Sequence, residues 1–288
     1  MRGVGKTLDE LAKEIPHLLV VAALVIILLF VVTKFKWIHC SQVPQWCNVY
    51  CELNGKSQVA VISGNPGDPG IGDAAGFRLQ ALNERQFTYV APFQASQITA
   101  GLLEDYELVV LTHWKRVTLK QAIALRDYLN KGGSILWEGD AASEYVTTPE
   151  DESYALAENM SKPGFYEEYK KLLNKTQGFG LLGDVLGVKY VKTHNRTGGL
   201  KYQSVKDNHL MVSGVHNFQL QPIVFAEVTE NPAALTKIAE LNETSTGKLY
   251  PALLERKYIG RIVYTAVPLE FIGSKTLTTN VLDYLVSC

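Results

Sequence analysis

Five side chains able to do acid–base or ligand chemistry fall just after short apolar runs. Asp68 and Asp73 follow Val59–Ile62, His113 follows Leu108–Leu111, and Glu138 and Asp140 follow Ser134–Trp137. Carboxyl groups converging with an imidazole suit a hydrolase or a metal site. The bland alternative is that Glu138 and Asp140 cap the segment after them and His113 caps a strand end. The loop Asn65-Pro-Gly-Asp-Pro-Gly-Ile-Gly72 offers backbone N–H groups to an anion. Equally, its glycines and prolines are those of a surface loop with fixed turns. These five residues form a candidate ligand-binding cleft.

The elements around them set their relative positions. Val59-Ala-Val-Ile62 reads as a strand, and Asp73 caps a helix whose apolar face takes Phe77, Leu79 and Leu82. Phe87–Val90 and Leu108–Leu111 read as strands. Thr118 starts a helix with Leu119, Ala122, Ile123, Leu125 and Leu129 on one face, and Gly132-Gly133 ends it. Ser134–Trp137 is the next strand. Strands alternating with helices of this length predict an α/β fold with a mostly parallel sheet covered by helices on both faces. In such sheets ligands bind at the carboxyl ends of the strands, which is where the five residues lie.

The stretch 141–187 is polar and reads as an insertion beside the sheet, with helices at Phe165–Leu173 and Leu181–Leu186. Five further strands are expected at Lys189–Thr193, Ile223–Glu227, Ala234–Leu241, Tyr250–Lys257 and Arg261–Val267. Tyr258-Ile259-Gly260 is a tight hairpin signal between the last two, and a helix over Ser274–Val286 closes the chain. Trp114, Phe165, Tyr166 and Tyr169 are either interface anchors or ordinary core.

Several activities are excluded. Gly3-Val4-Gly5-Lys6-Thr7 and Gly55-Lys56-Ser57 look like the ends of phosphate-binding loops, but neither follows a strand and neither has the first glycine. With 28 Lys+Arg against 29 Asp+Glu there is no basic excess, which argues against nucleic acid as a partner. No cofactor is implied. Cys47-x-x-x-Cys51 has no His or Cys pair at zinc spacing after it, so no metal site is expected. Cys40, Cys47, Cys51 and Cys288 are instead disulfide candidates in an oxidising compartment.

Leu18–Val32 is an unbroken apolar block. With its flanks, 15–38 makes a transmembrane helix in which Lys34 and Lys36 snorkel. The sequence after it, Thr33-Lys-Phe-Lys-Trp-Ile-His-Cys40, has no small-x-small cleavage site, which favours an uncleaved anchor over a signal peptide. Four Asn-x-Ser/Thr triplets, at Asn159, Asn174, Asn195 and Asn242, put the bulk of the chain outside the cytoplasm and mark it for N-glycosylation. The expected organisation is a cytoplasmic tail over 1–14, the span over 15–38, a Cys-containing stalk over 39–56 and an exported domain over 57–288.

The run Val59–Gly64, then Tyr106-Glu-Leu-Val-Val-Leu-Thr112, then Leu125-Arg-Asp-Tyr-Leu-Asn-Lys-Gly-Gly-Ser-Ile-Leu-Trp137 resembles the class I glutamine-amidotransferase-like superfamily. Gly260–Glu270 and Asn280–Leu285 are similar to the closing strand and helix of its degenerate, non-catalytic branches. His209-Leu-Met-Val-Ser-Gly-Val215 is similar to a His-Pro-Leu-x-x-Gly-Ile turn of those branches, with Leu in place of Pro. The resemblance implies a flavodoxin- or amidotransferase-like sheet. In active members a nucleophilic cysteine sits on the turn after the strand matching Ser134–Trp137, where this chain has Glu138-Gly139-Asp140. No cysteine lies between Cys51 and Cys288, so thiolate chemistry of that type is excluded.

A single anchor and a lost nucleophile imply a non-catalytic accessory subunit of a membrane complex. The strand–helix order and the Gly-Gly-Ser-Ile-Leu stretch resemble the accessory subunit of oligosaccharyltransferase that carries such a domain. The chain departs from that subunit in having its anchor at the N-terminal side. The expected partners are other membrane subunits and the lipid bilayer. The alternatives are an exported carbohydrate-acting hydrolase or sugar-binding protein that uses the strand-end carboxylates, and a structural protein of the cell envelope.

Overall fold

The computed structural model describes residues 8–34, 38, 43–84, 88–173 and 178–286. The chain divides into two compact units, one over residues 1–55 together with 287–288, the other over 56–286.

The first unit is built on two helices. α1 (Leu8–Lys34) contains a 20-residue stretch, Ile15–Lys34, long and apolar enough to cross a membrane. A signal sequence near an N-terminus has the same length and composition. α2 (Trp46–Asn54) packs on the end of α1: Trp46 Nε1 donates to Thr33 Oγ1 at 2.9 Å, and the Tyr50 and Phe30 rings lie 5.1 Å apart. The expected stalk is therefore a folded helix where it is described. Neither Cys47 nor Cys51 is a free thiol. Cys40 and Cys288 lie outside the described residues, as do Phe35, Lys36 and Trp37 of the expected span.

The second unit runs β1 (Ser57–Ser63), α3 (Ala74–Glu84), β2 (Thr88–Gln94), α4 (Ala100–Glu104), β3 (Leu108–Leu111), β4 (Arg116–Val117), α5 (Leu119–Asn130), β5 (Ser134–Glu138), β6 (Glu144–Tyr145), α6 (Pro149–Ser161), α7 (Phe165–Leu173), α8 (Gly183–Leu186), β7 (Val188–Thr197), β8 (Leu200–Ser204), β9 (Phe218–Gln219), β10 (Ile223–Glu230), β11 (Thr236–Glu243), β12 (Lys248–Lys257), β13 (Arg261–Thr265), α9 (Leu269–Ile272) and α10 (Lys275–Leu285). Nine strands form one sheet in the order β2-β1-β3-β5-β13-β12-β11-β8-β9. The first five are mutually parallel, and every pairing from β13 outward through β12 is antiparallel. The fold is thus α/β, with a parallel core extended by an antiparallel half. β10 and β7 pair separately, as do β4 and β6.

The core strands are buried on both faces, which is why they read as continuous apolar runs. Period-2 alternation sends Ala60, Ile62, Val109, Leu111, Ile135 and Trp137 to one face. It sends Val59, Val61, Leu108, Val110 and Leu136 to the other. α5 covers the first face with Leu119, Ala122, Ile123, Leu125 and Leu129. Thr118 caps α5, accepting from Gln121 N–H at 3.4 Å while Gln121 Oε1 accepts from Thr118 N–H at 2.9 Å. α3, α9 and α10 cover the second face through Phe77, Leu269 and Leu277.

Two expectations change. Leu79 and Leu82 are 63 % and 51 % exposed, and of the expected α3 face only Phe77 is in the core. The insertion contributes to the main core: Ala155 of α6, Phe165 and Tyr169 of α7, Phe179, Leu182 and Leu186 join the α5-side core. Trp114, Phe165 and Tyr169 are buried rather than interface anchors, and the Tyr166 hydroxyl donates to Glu152 at 2.9 Å. Insertion residues thereby finish a core that α4 and α5 alone would leave open.

Candidate functional site

β1 leads through α3 to β2 on one side, and β3 lies on the other, so the strand order reverses between β1 and β3. The loops beyond these strands and beyond β5 carry the five candidate residues. The structure gathers those loops closely and fills the space between them. His113 N–H donates to Ile71 O at 2.8 Å, Gly64 N–H to His113 O at 2.9 Å, and Lys115 N–H to Pro69 O at 3.0 Å. The loop 64–72 is therefore zipped onto residues 113–115 by backbone bonds. A Cβ on Gly70 would lie 2.7 Å from the His113 carbonyl carbon, which explains the glycine there.

Each carboxylate has a definite partner. Asp68 Oδ2 accepts from Asn65 N–H at 2.8 Å, closing a local turn. Asp73 Oδ1 accepts from Ala75 N–H at 3.0 Å at the start of α3. Asp140 is 3 % exposed; its Oδ1 accepts from Ile71 N–H at 2.7 Å and its Oδ2 from the Thr193 hydroxyl at 3.1 Å. Glu138 is fully buried, and its Oε1 accepts from Leu269 N–H at 3.0 Å at the start of α9. Glu138 and Asp140 therefore do not cap the segment that follows them. They reach across the fold, because a β-strand end points its side chains at whatever closes the sheet above it.

Glu270, Thr112 and Thr193 complete the cluster and were not singled out in the sequence. Glu270 Oε1 accepts from Asp73 N–H at 2.6 Å and from the Thr112 hydroxyl at 3.4 Å. The available signal was the acidic residue two positions after Pro268, in the first turn of a short helix. Burial, and then the nearby Glu270 carboxylate, push the Glu138 carboxyl well above the usual carboxylate range. Burial also raises Glu270, while the hydrogen bond from Asp73 N–H opposes that rise.

Strain and unmet hydrogen-bonding capacity gather at this corner. His113 and Ala142 have φ of 47° and 54°, values that non-glycine residues rarely adopt. His113 Nδ1, Trp114 Nε1, Glu138 Oε2, Ser143 Oγ and Glu270 Oε2 are buried with no hydrogen-bond partner. Such atoms are commonly satisfied by internal water. Glu138 is sealed from solvent, while Asp73 is exposed and Asp68 and His113 are half-buried. None of the five candidate residues lines the groove at the N-terminal ends of α4, α5 and α6, which Thr99, Thr118, Gln121, Thr148 and Tyr154 border. Among the described residues no His, Cys, Asp or Glu group suits a metal ion.

Of the expected glycosylation sites, Asn195 is exposed on β7, and Asn242 on β11 is half-buried. Asn159 is half-buried, and its Oδ1 accepts from Gly164 and Tyr166 N–H at 3.0 and 3.1 Å. Asn174 lies outside the described residues.

Neither a family model nor a curated protein matches this sequence. Its fold is similar to that of a ThuA-like protein from Bacteroides uniformis, with a TM-score of 0.54 at 12% identity over 81% of this chain and 92% of that one. It is also similar to the β-galactosidase of Bacillus circulans sp. alkalophilus, with a TM-score of 0.54 at 14% identity over 80% of this chain. The cold-adapted β-galactosidase of Rahnella sp. R3 gives a TM-score of 0.51 at 14% identity. The chain spans 31% of the length of each of these two β-galactosidases. At these identities the likeness is one of fold: an α/β sheet domain shared with a ThuA-like protein and with part of two much longer enzymes.

Proposed function

We propose that the protein is a membrane-tethered, non-catalytic module with an amidotransferase-like fold, acting as an accessory subunit of a membrane complex. One observation carries this reading. At the turn after β5, where the resembled family keeps its nucleophile, both acidic side chains are committed to backbone N–H groups: Glu138 to Leu269 and Asp140 to Ile71. Side chains used in this way build a fold and are withdrawn from substrate. α1 serves as the retained anchor, with the N-terminus cytoplasmic and the second unit outside. Cys47 and Cys51, neither of them a free thiol, support an oxidising compartment. The exposed Asn195 is the sequon best placed to carry glycan.

The finer reading is the accessory subunit of an oligosaccharyltransferase. Its support is the resemblance in strand–helix order and in Gly132-Gly-Ser-Ile-Leu136. The N-terminal position of the anchor separates this chain from the known arrangement of that subunit.

A carbohydrate-acting hydrolase is the second reading, favoured by the Glu138–Glu270 pair, whose carboxyls burial raises. The geometry opposes it. Two glycosidase carboxyls flank a sugar and must reach it, whereas Glu138 is sealed from solvent.

Purification of the full chain from native membranes in mild detergent, followed by mass spectrometry, tests the proposal. Stoichiometric membrane partners are expected, and oligosaccharyltransferase subunits among them if the finer reading holds. A protein that purifies alone and hydrolyses a glycoside or peptide, with activity lost in Glu138→Ala or Asp140→Ala variants that remain folded, would overturn it.

A further inference from the structure

α2 carries Trp46, Val49, Tyr50 and Leu53 at the i, i+3, i+4, i+7 spacing of one apolar stripe. Half of the stripe is used within the first unit. Trp46 is buried with its indole N–H on the Thr33 hydroxyl, and Tyr50 is buried against Phe30. The other half is bare: Val49 is 45 % and Leu53 68 % exposed. The opposite face shows Asn48 and Glu52 to solvent.

The partners of Trp46 and Tyr50 fix the depth of this helix. Thr33 and Phe30 belong to the apolar stretch Ile15–Lys34. At 1.5 Å per residue they lie roughly 1.5 and 6 Å inside its Lys34 end. A helix held on those two residues sits where a span meets the headgroups, the level at which Trp and Tyr concentrate in membrane proteins. The flank of α1 is exposed there too, at Ile27, Leu28 and Val31. α2 has no Lys or Arg, so its attraction to a surface comes from apolar burial and not from anionic headgroups.

We infer that α2 is an interfacial membrane helix that lies in the headgroup–acyl boundary, with Val49 and Leu53 in lipid and Asn48 and Glu52 toward water. The inference rests on the reading of α1 as a retained anchor. It gives the segment after the span a role: a collar that fixes the end of α1 at the bilayer surface, with Lys34 Nζ donating to Asn54 Oδ1 at 2.9 Å.

The test places a reporter on the bare face. Leu53→Trp is made in the full chain, which is reconstituted in phosphatidylcholine vesicles, and its emission is read as the difference from wild type. That added emission is expected to be blue-shifted. It should lose most of its intensity when the lipid chains are brominated near the headgroup end, and less when they are brominated near the chain ends. Val49→Trp is a second reporter should the first variant fail to fold. Added emission that aqueous iodide quenches and brominated lipid does not would overturn the inference. So would emission that neither quencher reaches, because protein would then cover that face. Intact-mass analysis of the same vesicles separates the two ideas. A chain that has lost α1 and left the vesicles removes the anchor reading and the inference together. A whole, vesicle-bound chain with an unquenched reporter removes the inference alone.

Discussion

Glu138 at the end of β5 and Glu270 at the start of α9 bring two carboxyls together inside the fold, with Glu138 fully buried, and burial raises both above the ordinary carboxylate value. Each carboxyl also accepts a backbone N–H from a distant element, Glu138 from Leu269 and Glu270 from Asp73. The pair thus ties the parallel core to α9 and to the entrance of α3. This tie has a definite pH signature. The folded-state Glu138 carboxyl is raised above its ordinary value of 4.5, so the folded chain keeps a proton that the unfolded chain releases. The stability it contributes is fully present below that ordinary value and is lost as pH rises through the raised one. Glu138→Gln keeps an acceptor for Leu269 and removes the titrating group. Urea unfolding across pH is expected to show a flatter decline on the alkaline side for this variant, with neutral-pH stability at least equal to wild type. An unchanged slope would mean that the Glu138 carboxyl is not raised in the folded chain. Glu138→Ala, which leaves the Leu269 N–H unpaired and a void, should cost about 2–4 kcal/mol.

Glu255 on β12 has the opposite sign. Burial would raise it, but hydrogen bonds from His209 and the Tyr284 hydroxyl outweigh burial and lower it. His209 Nδ1 accepts from Met211 N–H at 3.3 Å, so Nε2 carries the hydrogen that faces Glu255 Oε2 at 3.3 Å. Its stability contribution is present above the ordinary carboxylate value and lost as pH falls through the lowered one. Glu255→Gln should therefore be less stable than wild type at neutral pH, with the gap closing under acid. A gap that is constant across pH would point to packing alone.

Asp140 is a structural residue by its contacts. Asp140→Ala removes the acceptor for the buried Ile71 N–H and for Thr193. The expected loss is about 1–3 kcal/mol, or roughly 2–12 °C in Tm for a domain of this size. Asp140→Asn keeps an oxygen for one of the two donors and should recover part of that loss. Calorimetry on both variants checks this.

Gly260 in the β12–β13 hairpin meets the turn after α5 at very short range: a Cβ there would lie 1.8 Å from the Gly133 carbonyl oxygen. That neighbour is backbone and cannot rotate away. Gly260→Ala is expected to cost 3 kcal/mol or more, at about the top of the range for overpacked sites, and to reduce the folded yield measured by circular dichroism. Gly247→Ala, where a Cβ meets nothing within 4 Å but φ is +70°, should cost only the backbone strain of about 1 kcal/mol.

Asn195 stands exposed on β7. If the second unit is exported as proposed, Asn195→Gln should increase electrophoretic mobility in protein from the native host, and glycosidase treatment of wild type should give the same shift. Identical mobility before and after treatment would count against export through a glycosylating compartment.

Local pattern alone determined a good deal. The apolar runs at Val59–Ile62, Leu108–Leu111 and Ser134–Trp137 marked buried parallel strands, because strands covered on both faces have no polar side to show. Thr118 followed three residues later by Gln121 marked the start of α5, because a capping box is a local bond pattern. The apolar block at 18–32 marked a helix of membrane-spanning length, and the missing cysteine at Glu138-Gly139-Asp140 was visible residue by residue. Tertiary structure alone decided what the acidic residues do. Glu138 and Glu270 are separated by 131 intervening residues and are joined only when β13 pairs with β5 and lays α9 over the strand ends. The insertion helices join the α5-side core for a similar reason: Ala155, Phe165 and Phe179 are buried by neighbours that only the fold brings to them. Likewise, Leu79 and Leu82 fit a helical apolar face by spacing, yet burial depends on which neighbour arrives, and they remain in solvent.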